Sequence, residues 1–195
     1  NTTGGSNVAV GHNALDANTT GDSNTAVGRA ALGANTTGHY NTAVGRNALD
    51  ANTTANSNTA VGYDCLTANI TGSENTGIGY ICLDACTTGS GNSGFGYNVL
   101  GKVTTGTANV SIGSGSGAGI TTANYNTALG SNAYVSGTAA QNVAIGRNCM
   151  YAVVTGESNT GVGTFAFTTL TSGTQNVAMG LYSLDALTTG SYNTA

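Results

Sequence analysis

The sequence predicts an all-β chain, a parallel β-solenoid or β-roll of about eleven coils. Three observations carry this: a repeat of fixed length, apolar residues at fixed places within it, and a glycine in every copy. The repeat opens on Asn7, Asn24, Asn41, Asn58, Asn75, Asn92, Asn109, Asn126, Asn142, Asn159 and Asn176, and Asn193 begins one more. Every interval is seventeen residues except Asn126 to Asn142, which is sixteen. The repeat covers residues 1–195 as a single repeat domain, with an irregular stretch near 113–141. Both ends fall inside a copy, so a fragment of a longer fibre is expected.

With the repeated Asn as position one, positions two to four form a short strand. Position two is Thr, Ser or Val, position three is Ala, Gly or Ser, and position four is apolar throughout, from Val10 to Met179. Stacked Asn side chains at position one are expected to pass amide hydrogen bonds from coil to coil. Position five is Gly in every copy (Gly11, Gly28, Gly45, Gly62 and on to Gly180), which marks a corner or a close approach that a Cβ would obstruct.

Position nine adds a second apolar row, Leu15 to Leu100 and later Tyr134, Met150, Phe167 and Leu184. Gly117 interrupts it, and a gap of one large side chain is expected there. Position twelve is Asn18, Asn35, Asn52 and Asn69, then Cys86, Val103, Ile120, Val153, Leu170 and Leu187, a row expected to face inward. The following Thr-Thr-Gly closes the coil as a turn.

Helical repeats of about 33 residues or more do not fit this period. No Asn-Gly or Asp-Gly dipeptide occurs to close a tight hairpin, so successive strands are expected to run parallel, about 4.8 Å apart. A thin coil has three or four inward places, whereas positions three, eight and eleven also carry small or apolar residues. A lone roll is expected to expose them, and their burial against sister chains predicts a side-by-side homotrimer.

Only 6% of residues are charged and the net charge is −4, which removes the basic footprint of a nucleic-acid binder. No apolar run is long enough for membrane insertion as a helix. Hydrophobic residues make up 39% of the chain at regular places, which argues for order despite the Gly, Asn and Thr content.

NTAVGRNALDANTTG, from Asn41, resembles the NTAVG-type repeats of bacteriophage and other viral tail fibres. More distantly it is similar to the head repeats of trimeric autotransporter adhesins (YadA-like heads). The resemblance spans the chain and is weakest in copies seven and eight. It implies a parallel β-roll in side-by-side trimers, serving as a stiff shaft or adhesive head on a virion tail or cell surface.

Position six carries His12, Arg29, Arg46, Tyr63, Tyr80 and Tyr97. Arg29, Arg46 and the three Tyr are the candidate contacts for a host surface glycan, set against the simpler expectation that stacked Tyr stabilise each other. Cys65, Cys82, Cys86 and Cys149 are expected to be buried small side chains. Asp16, Asp50, Asp84 and Asp185 share position ten and are expected to face solvent. The row Thr20, Thr37, Thr54, Thr71, Thr88, Thr105 and Thr122 raises an ice-binding alternative, weakened because adjacent Thr are expected to point to opposite faces. No repeated Ser-His-Asp, Cys-His or ligand pattern is present, so no enzyme activity, metal or cofactor is expected. The leading expectation is a structural fibre shaft holding a receptor-binding tip; an adhesin head that binds glycan or matrix laterally is the alternative.

Overall fold

The structure, a computed structural model, describes residues 2–195. Eleven three-residue strands, β1 (Val8–Val10), β2 (Thr25–Val27), β3 (Thr42–Val44) and so on to β11 (Val177–Met179), form one parallel sheet in chain order. Each strand residue pairs with its equivalent one coil on, as in Val8↔Thr25, Ala9↔Ala26 and Val10↔Val27. Register survives the sixteen-residue interval, where Leu129 pairs with Ile145. Val177 bridges to Thr194 in the same parallel sense. The molecule is a β-solenoid with no helix among the described residues.

A three-residue strand has no stability of its own, but equivalent backbone groups remain paired beyond it. In coil one Leu15 N–H donates to Ala31 O, Ala17 N–H to Gly33 O and Thr19 N–H to Thr36 O. Gly at position five turns the corner: Gly28 has φ +136°, and a Cβ there would lie 2.4 Å from Gly45 O. Both the backbone angle and the neighbouring coil therefore exclude a side chain.

Three further left-handed residues shape each coil, at positions seven, nine and seventeen; in coil three they are Asn47, Leu49 and Ser57. Such a conformation costs about 1–2 kcal/mol for a residue with a Cβ. At Leu49 that cost is offset by full burial of the side chain, a gain of about 1.5–3 kcal/mol.

The strands face the opposite way from the trimer expectation. Position three is the inward one: Ala26, Ala43 and Ala60 have no exposure, whereas positions two and four point outward and are half-buried or exposed. Position eight is also inward, with Ala31, Ala48, Cys65 and Cys82 buried. The reason is thickness. A Cβ on Gly77 at position three would lie 2.6 Å from Cys65 Sγ and 3.4 Å from Leu66 Cδ1, so the strand side almost touches the opposite side of the roll. Only Ala, Ser or Gly fits between them. Of positions three, eight and eleven, only eleven remains outside, partly exposed through most coils.

Two expectations about the irregular coils also change. No gap exists at Gly117: a Cβ would meet Ser111 Oγ at 2.6 Å and Leu100 Cδ2 at 2.8 Å, with Ile120 Cδ1 at 3.3 Å. Neighbours have closed the space that a leucine would fill. In coil nine Val154 takes the inward place with no exposure, and Val153 turns outward to 55% exposure.

The coil before it, shortened by one residue, is repaired by Tyr134. Its ring lies where a position-twelve side chain on Gly137 would sit, 2.1 Å from Cζ to the absent Cβ. The Tyr134 hydroxyl donates to Ala139 O at 2.7 Å and accepts from Asn142 Nδ2 at 2.8 Å. Burial pushes its phenol pKa above the ordinary tyrosine value.

Candidate functional site

The position-one Asn residues form a continuous ladder inside the roll. The backbone N–H of Asn41 donates to Asn24 Oδ1 at 2.9 Å, and Asn41 Nδ2 donates to Ala55 O at 2.8 Å across the same coil. Asn24, Asn58, Asn75 and Asn92 repeat this pattern, and it continues to Asn193. Asn7, in the first coil, supplies Oδ1 to Asn24 and donates to Gly21 O. Each of these Asn joins two coils and also closes its own, whereas Asn126, in the coil one residue short, donates both its N–H and its Nδ2 to Asn109 Oδ1 only. The glycines Gly11, Gly28, Gly45 and Gly62 stack beside the ladder, each with its absent Cβ within 2.5 Å of the next Gly carbonyl oxygen.

The position-twelve Asn residues add a second ladder that ends abruptly. Asn35, Asn52 and Asn69 each donate Nδ2 to the Oδ1 of the preceding Asn and to a carbonyl of their own coil. Cys86 follows, and its thiol bonds to Gly89 O instead. Asn69 Oδ1 is left buried with no hydrogen-bond partner. A third ladder, at position sixteen, was not legible as a motif because its residue types vary. Asp22 N–H donates to His39 Nδ1, His39 N–H to Asn56 Oδ1 and Asn56 N–H to Ser73 Oγ.

On the outer surface, position six brings Arg46, Tyr63, Tyr80 and Tyr97 together. Tyr63 and Tyr80 stack at 5.2 Å and 11°, and Tyr80 and Tyr97 at 5.7 Å and 12°. The Arg46 guanidinium lies 5.2 Å from the Tyr63 ring centre and donates to its hydroxyl at 3.1 Å. Both faces of Tyr63 and of Tyr80 are therefore covered by neighbours, leaving their edges and hydroxyls outward. Within this stack, the one face left uncovered for a sugar ring is the far side of Tyr97. Arg29 is exposed one coil earlier and takes no part in the stack. A second stack, Arg147 over Phe165 at 5.6 Å and Phe165 against Tyr182 at 5.1 Å, runs partly along position seven. Its signal in the sequence was two aromatics seventeen residues apart at an otherwise Asn-rich position.

The outward position-four residues, Val10, Val27, Val44, Val61, Ile78 and Phe95 and their successors to Met179, make an apolar row along every strand. On the coil edge, the Thr pairs do not point to opposite faces as the strand rule suggested. They lie outside the strands, and Thr36 and Thr37 are both at the surface. Thr19, Thr36 and Thr53, the row beside Thr20, Thr37 and Thr54, donate their hydroxyls to the next coil's carbonyl.

Of the position-ten acids, Asp16 is exposed, as expected, and Asp185 is half-buried. Asp50 and Asp84 are partly buried, and burial pushes both carboxyls above the ordinary aspartate range; at Asp50, nearby Asp64 adds to this and Arg29 opposes it. All four Cys are buried and free. The bonded Cys82 thiol and burial push Cys65 up, while burial moves Cys86 to about 11 and Cys149 to about 12. Among the described residues no group of three or more His, Cys, Asp or Glu is placed to hold a metal ion. Compared with known proteins, the chain matches no family model, and no curated protein or solved structure is significantly similar to it.

Proposed function

We propose that this chain is a structural fibre segment, the shaft of a viral tail fibre or related surface appendage, built as a side-by-side homotrimer and holding a receptor-binding tip away from its particle. The reading is non-enzymatic. The observation that carries it is the outward aliphatic row at position four, continuous over all eleven strands. Ten strand spacings of about 4.8 Å give a face about 50 Å long. A three-residue strand is about 10 Å across, so that face covers on the order of 500 Å², the same order as the roughly 800 Å² per partner of a stable interface. A lone roll leaves this strip in water, and an apolar strip of that size is the mark of an interaction surface. The internal Asn ladders support the same reading, because they stiffen a rod along its axis while leaving the outside free for assembly.

The test separates the outward row from the inward one. Replacing Val27, Val44 and Val61 by Glu is expected to give folded monomers, because these side chains lie outside the core and only the chain–chain contact is lost. Ala43→Glu is expected to unfold its coil instead, since position three has no room. Sedimentation and circular dichroism read both outcomes. A parent chain that sediments as a monomer at tens of micromolar, a level at which standard-sized interfaces of this class are normally filled, removes the trimer from the proposal.

A further inference from the structure

We propose a lateral binding site for an acidic sugar unit, a carboxylate-bearing pyranose, in the groove between Lys102 and Val153 on coils six to nine. This goes beyond the shaft reading and uses residues outside the aromatic ladder. The groove has a volume of about 440 Å³ and is lined by Asn98, Lys102, Ala118, Val135, Ser136 and Val153, with Gly119 and Thr138 completing it. That volume lies within the range of small-molecule sites, about 300–1,000 Å³.

Its place in the rod has a cause. In coils two to four, positions ten and eleven carry Gly-Ala, Asp-Ala and Thr-Ala; in coils six to eight they carry Gly101-Lys102, Ala118-Gly119 and Val135-Ser136. Coil eight is one residue short, and in coil nine Val153 has exchanged places with Val154 and points outward. The small pair Ala118-Gly119 forms the floor, with Lys102 on the rung before it and Val135, Ser136 and Val153 on the rungs after it, which makes a depression in a surface that elsewhere repeats itself.

The chemistry of the lining selects the ligand class. Lys102 is the only lysine of a chain with net charge −4, and among the described residues no carboxylate lies within ion-pair distance of it. Asp84, one coil away, makes no ion pair with it. The side chains of Lys102, Asn98 and Ser136 have no hydrogen-bond partner among the described residues and are left to donate outward. The Thr138 hydroxyl is directed to Val154 O at 3.4 Å. An unpaired ammonium, an amide and a hydroxyl beside the apolar Val135 and Val153 match a ring with a carboxylate, several hydroxyls and one C–H face. Lysine recognises the carboxylate as a point charge, and the valines cover the apolar face. The groove lies on the side of the roll across from the outward strand rows, so it stays open when position four is covered.

The experiment titrates the intact chain with methyl glucuronide and, in parallel, methyl glucoside and inorganic sulfate, followed by amide chemical shifts. Saturable shifts confined to residues around Asn98, Lys102, Ser136 and Val153 are expected for the glucuronide, with glucoside at least tenfold weaker. Lys102→Gln should remove the preference for the acid, and Val153→Asp should weaken glucuronide at least tenfold. Tyr97→Ser, on the aromatic ladder, should leave both unchanged. Both groove substitutions are at exposed side chains, and an unchanged amide spectrum elsewhere verifies the fold. Absence of saturable glucuronide binding, equal binding of sulfate, or shifts that follow Tyr97 rather than Lys102 would each overturn the site. None of these results bears on the oligomeric state, so the shaft proposal stands or falls separately.

Discussion

Coils two to four (residues 24–74) and coils seven to nine (residues 109–158) keep one strand register with different side chains inside it. In the first group each coil encloses Ala, Ala or Cys, Leu and Asn at positions three, eight, nine and twelve. In the second, a Gly at position nine is matched by Ile120 at position twelve, and Tyr134 at position nine is matched by Gly137 at position twelve. The volume belongs to the pair of positions rather than to either one. Close packing rewards a filled interior, and a thin roll lets two neighbouring side chains exchange bulk without moving the backbone. The polar row is less forgiving. Where Asn gives way to Cys86, one amide oxygen, Asn69 Oδ1, loses its partner and none of its burial.

The largest way to break this comparison is at the glycine corner. A Val at position 45 places its Cβ 2.3 Å from Gly62 O at a backbone φ of +136°. At Gly113 in the irregular region, the nearest atom is Gly130 C at 2.8 Å. Gly45→Val is expected to destabilise by more than about 4 kcal/mol. It should also split denaturant unfolding into two blocks, because each coil is coupled only to its neighbours. Gly113→Val is expected to lose less. Equal, single transitions for both would show that the corner is not what couples the coils.

The Asn row gives the next effect. Asn52→Val lies inside the ladder and is expected to cost about 2–4 kcal/mol, since Asn35 Oδ1 loses its donor and Asn69 Nδ2 loses its acceptor in a buried place. Asn69→Val is expected to change stability by less than about 1 kcal/mol. It moves the polar–apolar boundary by one coil, removes one orphan oxygen and creates another, and leaves Gly72 O bonded to Asn58 Nδ2. Thermal or denaturant unfolding of the two variants decides the matter, and a loss at position 69 as large as that at 52 would sink the boundary argument.

The smallest effect concerns Asp84. Its carboxyl is raised above the ordinary 3.8 chiefly by burial, and its Oδ1 has no partner. Above the folded-state pKa the charge burdens the folded chain. As pH falls through that value toward 3.8, the folded state takes up a proton before the unfolded one and the burden is relieved. Asp84→Asn is therefore expected to raise the Tm at neutral pH, with the difference from the parent closing as the pH approaches about 4. A difference independent of pH would mean that packing rather than charge is responsible.

The sequence by itself determined the period, the parallel stacking, the glycine corner and the Asn ladder. Each follows from one rule: in a stack, a residue's nearest neighbour is its own equivalent seventeen places away, so like must tolerate like. That rule made Asn24, Asn41 and Gly45 readable from letters alone. It says nothing about relations around a single coil, and the misread features lie there. Whether position three or position four faces inward depends on how closely the strand side approaches Cys65 and Leu66. The apparent gap at Gly117 disappears only when Ile120 and Leu100 are seen beside it. Val153 and Val154 are the same letter side by side, and only the path of their coil decides that Val154 is the one enclosed. These outcomes were decided by the thickness of the roll, a distance between segments that no single row of the repeat contains.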